Sequence, residues 1–181
     1  PCPSGRHQNG TMTALNLSMT SEDDCVECPA GAACATGSGE PGWCAPGSFA
    51  PTAGMPICTR CAAGSYQGGE GATACVECSA GSWCAEGSSA PTPCDEGTVG
   101  RLRGLSLKSQ CEACPVGSWC SAGVAIPCAP GTWANETNAT TMGACVSCPA
   151  MSESREASSG RAACVCVEGY YDSDLHAEDV V

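Results

Sequence analysis

Nineteen cysteines in 181 residues are the side chains with the most chemistry to offer. Two uses compete for them: thiolate ligation of zinc, for which Cys-x-x-Cys is the common half-site, and disulfide cross-linking. Such pairs occur at Cys25/Cys28, Cys58/Cys61, Cys75/Cys78, Cys111/Cys114 and Cys145/Cys148, with a tighter Cys164-Val-Cys166. Three Cys-x5-Cys spacings lie between them: Cys28/Cys34, Cys78/Cys84 and Cys114/Cys120. Regularly closed loops favour disulfides, and the two histidines, His7 and His176, stand at opposite ends of the chain. No metal site is expected. A redox Cys-x-x-Cys of the thioredoxin type needs a βαβ context absent from this sequence. Nucleophilic catalysis needs a base beside the nucleophile, and both histidines are isolated in polar segments, so neither an enzyme nor a cofactor is expected. Two acidic clusters remain, Glu22-Asp23-Asp24 and Asp172, Asp174, Glu178 and Asp179. The second lacks the central glycine and terminal glutamate of a calcium loop and reads as solvated charge.

The rest of the composition says what must hold such a chain together. With 23 glycines and 13 prolines, and few leucines, isoleucines, valines or phenylalanines, no sizeable aliphatic core can form. A chain of this kind stays unfolded unless cross-linked, which makes cysteine the framework. Disulfides persist in oxidising compartments, so an extracellular or cell-surface location is expected. A net charge of −12 repels nucleic-acid backbones and anionic membranes. No apolar run reaches the roughly 18 residues of a membrane span. Pro1 to Gly5 carry no signal-peptide pattern, so the chain reads as an internal piece of a larger secreted protein.

A repeat runs through the sequence. Cysteines with glycine three residues later mark starts at Cys2, Cys28, Cys44, Cys61, Cys78, Cys94, Cys114, Cys128 and Cys166, and Cys148 fits with Met151 in place of glycine. The period is about 17 residues. Six of the eight aromatic residues fall five residues after a start, namely Phe49, Tyr66, Trp83, Trp119, Trp133 and Tyr171. The reading is a tight turn at glycine followed by a ring folded onto sulfur, a core of one ring and one disulfide per repeat. Ala33 and Val99 depart from the ring pattern.

Pairing each start with its own second cysteine gives Cys2–Cys25, Cys28–Cys34, Cys44–Cys58, Cys61–Cys75, Cys78–Cys84, Cys94–Cys111, Cys114–Cys120, Cys128–Cys145 and Cys148–Cys164. Cys166 is left over, its partner expected beyond residue 181. Spacing does not decide connectivity, and a crossed scheme joining Cys25 to Cys34 and Cys28 to Cys44 stays open. It strands Cys2 and forces Cys58 onto Cys61. The expected fold is a set of small disulfide-rich tandem repeats, an elongated rod of short β-hairpins and irregular loops with little helix. Residues 1–27 form a first repeat with a long loop, 28–165 the tandem repeats, and 166–181 the start of another.

The strings Cys25-Val-Glu-Cys-Pro-Ala-Gly31, Cys111-Glu-Ala-Cys-Pro-Val-Gly-Ser-Trp-Cys120 and Cys128-Ala-Pro-Gly-Thr-Trp133 resemble the ephrin-receptor-like cysteine-rich repeats, related in style to tumour-necrosis-factor-receptor and EGF-like modules. The resemblance covers nearly the whole chain. The alanine-rich, many-repeat pattern looks most like the shaft glycoproteins of algal flagellar hairs, or mastigonemes. That resemblance implies a filament, whereas receptor and adhesion proteins carry similar modules.

All four asparagines sit in Asn-x-Ser/Thr sequons: Asn9, Asn16, Asn135 and Asn138. All fall in loops between the turn and the closing cysteine, so covalent N-glycans are expected there, with joint occupancy of Asn135 and Asn138 in doubt because they are three residues apart. The expected function is a structural glycoprotein segment, the rod or shaft of an extracellular filament or cell-surface coat, self-associating or joined to another filament glycoprotein. The alternative is the stalk or ligand-binding ectodomain of a receptor or adhesin.

Overall fold

The structure is a computed structural model and describes residues 1–10, 21 and 24–170. Its element is a left-handed turn. The third residue after each start cysteine is left-handed, with φ near +85° at Gly5, Gly31, Gly47 and Gly64. The next residue, usually serine or threonine, closes the turn twice over. In the Cys44 repeat the Ser48 amide and hydroxyl both donate to the Ala45 carbonyl, at 3.0 and 2.7 Å. Ser65, Thr98, Thr132 and Ser152 repeat this pair of bonds. A short hydroxyl residue at this place therefore has a local cause.

The chain then runs extended for two residues and pairs with the segment that leads into the next start cysteine. The strands are β1 (Arg6–Gln8) with β2 (Cys25–Glu27), β3 (Ala32–Ala33) with β4 (Gly42–Trp43), β5 (Ser48–Phe49) with β6 (Thr59–Arg60), β7 (Ser65–Tyr66) with β8 (Val76–Glu77), and β9 (Ser82–Trp83) with β10 (Thr92–Pro93). Next come β11 (Thr98–Val99) with β12 (Glu112–Ala113), β13 (Ser118–Ser121) with β14 (Val124–Pro127), β15 (Thr132–Trp133) with β16 (Val146–Ser147), and β17 (Ser152–Glu153) with β18 (Val165–Cys166). Single 3-10 turns sit at Lys108–Gln110, Met142–Ala144 and Arg161–Ala163. The protein is thus a tandem array of small disulfide-linked hairpins. Ribbons this short are not stable alone, so their order must come from cross-links and neighbours.

The chain divides into two compact units, Pro1–Thr92 with Leu102–Gln110, and Pro93–Arg101 with Cys111 onward. Within the first, successive repeats are tied by backbone hydrogen bonds in a fixed pattern. The start-cysteine amide donates to the turn carbonyl of the repeat before, from Cys28 to Gly5, Cys44 to Gly31, Cys61 to Gly47 and Cys78 to Gly64, all at 2.8–2.9 Å. The start-cysteine carbonyl accepts from a second left-handed glycine in the repeat after: Gly37 to Cys2, Gly54 to Cys28, Gly71 to Cys44, Gly87 to Cys61 and Gly104 to Cys78, each 2.8 Å. The turn amide donates forward as well, as from Gly31 to Ala50 at 2.9 Å. The second unit repeats the pattern, with Cys128 donating to Gly117 at 2.9 Å and Ala157 donating to Cys128 at 3.0 Å.

The core is sulfur and methyl. Cys28, Cys34, Cys44, Cys61, Cys78, Cys84, Cys114 and Cys120 are fully buried, with Ala32 and Ala50. This corrects the expected ring-and-disulfide core: Phe49, Tyr66, Trp83, Trp119 and Trp133 are only half-buried. The cause is strand alternation. The residue after the ring, six places from the start, takes the inward place, as Cys34, Ala50, Cys84, Cys120 and Ala134 do. Ala33 is a half-buried stand-in for the ring, whereas Val99 is buried.

Candidate functional site

The first layer of any site here is the cross-link framework. The structure joins Cys2 to Cys25, Cys44 to Cys58, Cys61 to Cys75, Cys94 to Cys111, Cys128 to Cys145 and Cys148 to Cys164 across long loops. It joins Cys28 to Cys34, Cys78 to Cys84 and Cys114 to Cys120 across short ones. The short form changes the position of the bond without changing the ribbon. Its second cysteine occupies the inward place six residues from the start, which alanine fills in the Cys44 and Cys128 repeats. Nine disulfides point to folding in an oxidising compartment.

Cys166 has no disulfide partner among the described residues and is half-buried on β18. The Cys-Val-Cys spacing has a consequence that spacing arithmetic misses. In other repeats the amide that reaches back to the previous turn carbonyl belongs to the start cysteine; here Val167 donates to Met151, at 3.0 Å. Ser152 correspondingly faces Cys166, where Ser48 faces Arg60 and Ser65 faces Glu77. The ladder has slipped by one residue. Met151, in place of the turn glycine, still takes the left-handed conformation at φ +60°.

The sequon asparagines divide between two geometries. Asn135 is exposed and follows the buried Ala134 directly after β15. Asn138 is exposed at φ +60°, and its amide donates to the Cys114 carbonyl at 3.0 Å, the bond that Gly54, Gly71 and Gly87 make in the first unit. Asparagine tolerates this conformation better than other non-glycine residues, so Asn138 has a structural reason to be there apart from any sugar. Asn9 is half-buried at the end of β1. Asn16 lies outside the described residues, as do Glu22, Asp23, Tyr171, Asp172, Asp174, His176, Glu178 and Asp179.

His7 holds a ring position without being one of the aromatic residues of the repeat. It stands five places after Cys2, in the position that Trp133 holds after Cys128, and pairs across the ribbon with Val26. Its Nδ1 lies 2.8 Å from the Gln8 carbonyl, which can only accept, so the proton is on Nδ1. Asp24 closes a local turn by accepting from the Ser21 amide at 3.0 Å. Arg101 and Glu112 form an exposed ion pair at 3.0 Å. An open cleft in the second unit is lined by Glu153, Ser154, Arg155, Ser158, Ala163 and Val165.

Along each ribbon, the half-buried ring faces a β-branched or small residue on the partner strand. Phe49 faces Thr59, Tyr66 faces Val76, Trp119 faces Ile126 and Trp133 faces Val146. Val76 and Val146 are exposed, so these pairs form the outer apolar surface of their ribbons. Among the described residues no three His, Cys, Asp or Glu side chains gather as a metal would require, and no helix is long and apolar enough to cross a membrane. The chain matches no family model and no curated sequence with which it was compared.

Proposed function

We propose that this chain is a structural segment of an extracellular glycoprotein, the rod or shaft part of a filament or cell-surface coat, built from ephrin-receptor-like repeats in the manner of a mastigoneme shaft. The observation that carries the reading is the repeated hydrogen-bond ladder within each compact unit, in which every repeat is ordered by its neighbours. Arrays of this kind extend by adding copies and need no global core. Cross-links resist extension, glycans on Asn9, Asn16, Asn135 and Asn138 supply hydration and bulk, and self-association or a second filament glycoprotein completes the polymer.

Electron microscopy of the native protein, prepared without reductant from its surface-associated form, tests the proposal. Ordered fibres with a repeating axial rise are the expected result. Isolated slender monomers or dimers would overturn it and favour the stalk or ligand-binding ectodomain of a receptor or adhesin.

A further inference from the structure

The glycans of the proposed extracellular role have no assigned place on the protein surface. Two of the sequons share one repeat position. Asn135 is seven residues after Cys128 and Asn9 seven after Cys2, so each follows the ring position by two, behind Trp133 and His7 respectively. In the Cys128 repeat the burial pattern fixes the geometry. Trp133 is half-buried, Ala134 is 1% exposed and Asn135 is exposed. Ala134 is held at both of its backbone polar groups, its amide donating to the Ser158 carbonyl at 3.0 Å and its carbonyl accepting from the Gly117 amide at 2.8 Å. With Ala134 buried between them, Trp133 and Asn135 both stand on the outer side of the chain, two residues apart, the spacing that puts side chains on one side of extended backbone. The neighbour across that ribbon, Val146, is 48% exposed and leaves an apolar shelf continuous with the ring.

We propose that the first N-acetylglucosamine of the glycan on Asn135 packs its apolar face on the Trp133 ring, making the sugar part of the folded repeat. The axial C–H bonds of a pyranose carry partial positive charge, and the indole face is negative, so contact is attractive beyond the area it covers. The shelf otherwise exposes an indole and a valine to water. Asn138 provides the internal contrast. The residue two before it is Glu136, and its own backbone is committed to the left-handed bond with Cys114. Its glycan extends into solvent. His7 and Asn9 share this spacing, but Gln8 between them is not buried and Asn9 is half-buried, so the proposal is confined to Trp133 and Asn135.

This inference rests on the glycoprotein reading, and one experiment separates the two. The full chain is produced in a eukaryotic secretory host, occupancy of each sequon is mapped by glycopeptide mass spectrometry, and melting temperatures are taken for the parent, Asn135→Gln, Trp133→Leu and the double variant. Asn135→Gln is expected to lower the Tm of the parent by about 2–4 °C and to leave that of Trp133→Leu unchanged. Enzymatic trimming to the first sugar is expected to keep the parent's Tm, and the acetyl methyl resonance of that sugar should be shifted upfield by the indole ring current. The methyl shift needs no variant, so it decides the matter even if Trp133→Leu fails to fold. An occupied Asn135 with no Tm coupling and an unshifted methyl overturns the stacking alone. Bare asparagines at all sequons overturn both the stacking and the glycoprotein reading.

Discussion

The two compact units solve one backbone problem with different residues. Every left-handed position described in the first is glycine, whereas the second carries Ala122, Asn138, Met151 and Ala157 at φ between +49° and +61°. Asn138 and Ala157 make the same donor bond to a start-cysteine carbonyl as Gly71 and Gly87. The comparison teaches that the conformation is imposed by the ladder, with glycine an economy in strain. An L residue there costs on the order of 1 kcal/mol, so the second unit holds unrelieved strain that the first does not.

The turn glycines are different in kind, and the largest expected effect lies with them. A Cβ on Gly64 would stand 2.5 Å from the Gly104 carbonyl oxygen, two repeats further on, and one on Gly97 would stand 2.5 Å from that of Asn138. Backbone on both sides leaves no flexible group to give way. We predict that Gly64→Ala costs about 3–4 kcal/mol, strain and clash combined, measured by denaturant unfolding with the disulfides intact. A loss below about 1 kcal/mol would mean that the approach between alternate repeats is dispensable.

Replacing both Cys61 and Cys75 by serine should cost about 3 kcal/mol, and both Cys78 and Cys84 about 2 kcal/mol, because the first pair closes the longer loop. Equal losses would show that native contacts, and not loop length, decide the worth of each bond. The sharpest test of the comparison is a reciprocal exchange. Gly87→Ala places its Cβ 3.6 Å from the Arg60 Cδ, in ordinary contact, so its cost is the conformation alone, about 1 kcal/mol. Ala157→Gly in the second unit should return about the same amount, raising the unfolding midpoint. Asn138→Gly is the smallest change, a gain of a few tenths of a kcal/mol, because asparagine already suits the left-handed region. Asn138→Ala should lose more than Asn138→Gly gains.

The sequence carries the hairpin array in plain view. Its spacing reads as turn, ribbon and loop closure, and the serine or threonine after Gly47, Gly64 and Gly131 has its reason within four residues. What spacing cannot carry is the link between Gly64 and Gly104, since it joins residues 40 apart and each glycine has a sufficient local reason to exist. A partial signal was available: Cys34, Cys84 and Cys120 also have glycine three residues on, at Gly37, Gly87 and Gly123, all left-handed in the structure. Of these, Gly37 and Gly87 donate to the Cys2 and Cys61 carbonyls, whereas Gly54, Gly71 and Gly104 make the same bond with no cysteine three residues before them. Regular spacing from cysteine suggests a ring against sulfur, but strand alternation gives the inward place to the residue after the ring. At Cys166 the missing residue of Cys-Val-Cys shifts the ladder by one, a change visible only once the hydrogen bonds are traced.

The arrangement of cross-links also decides what a protease could do. A cut inside any loop closed by its own disulfide, such as 45–57 or 129–144, opens a peptide bond but leaves both new ends tethered to the same bridge. The chain is severed only where it runs between bridges. Most of those passages are two residues long and lie within ribbons, as Thr59–Arg60 and Val76–Glu77 do. The short-form repeats are the exception: their bridges leave 35–43, 85–93 and 121–127 outside any closed loop. Moving one cysteine inward thus creates three long seams at which a single nick parts the molecule, while a cut within any closed loop would scar it without shortening it.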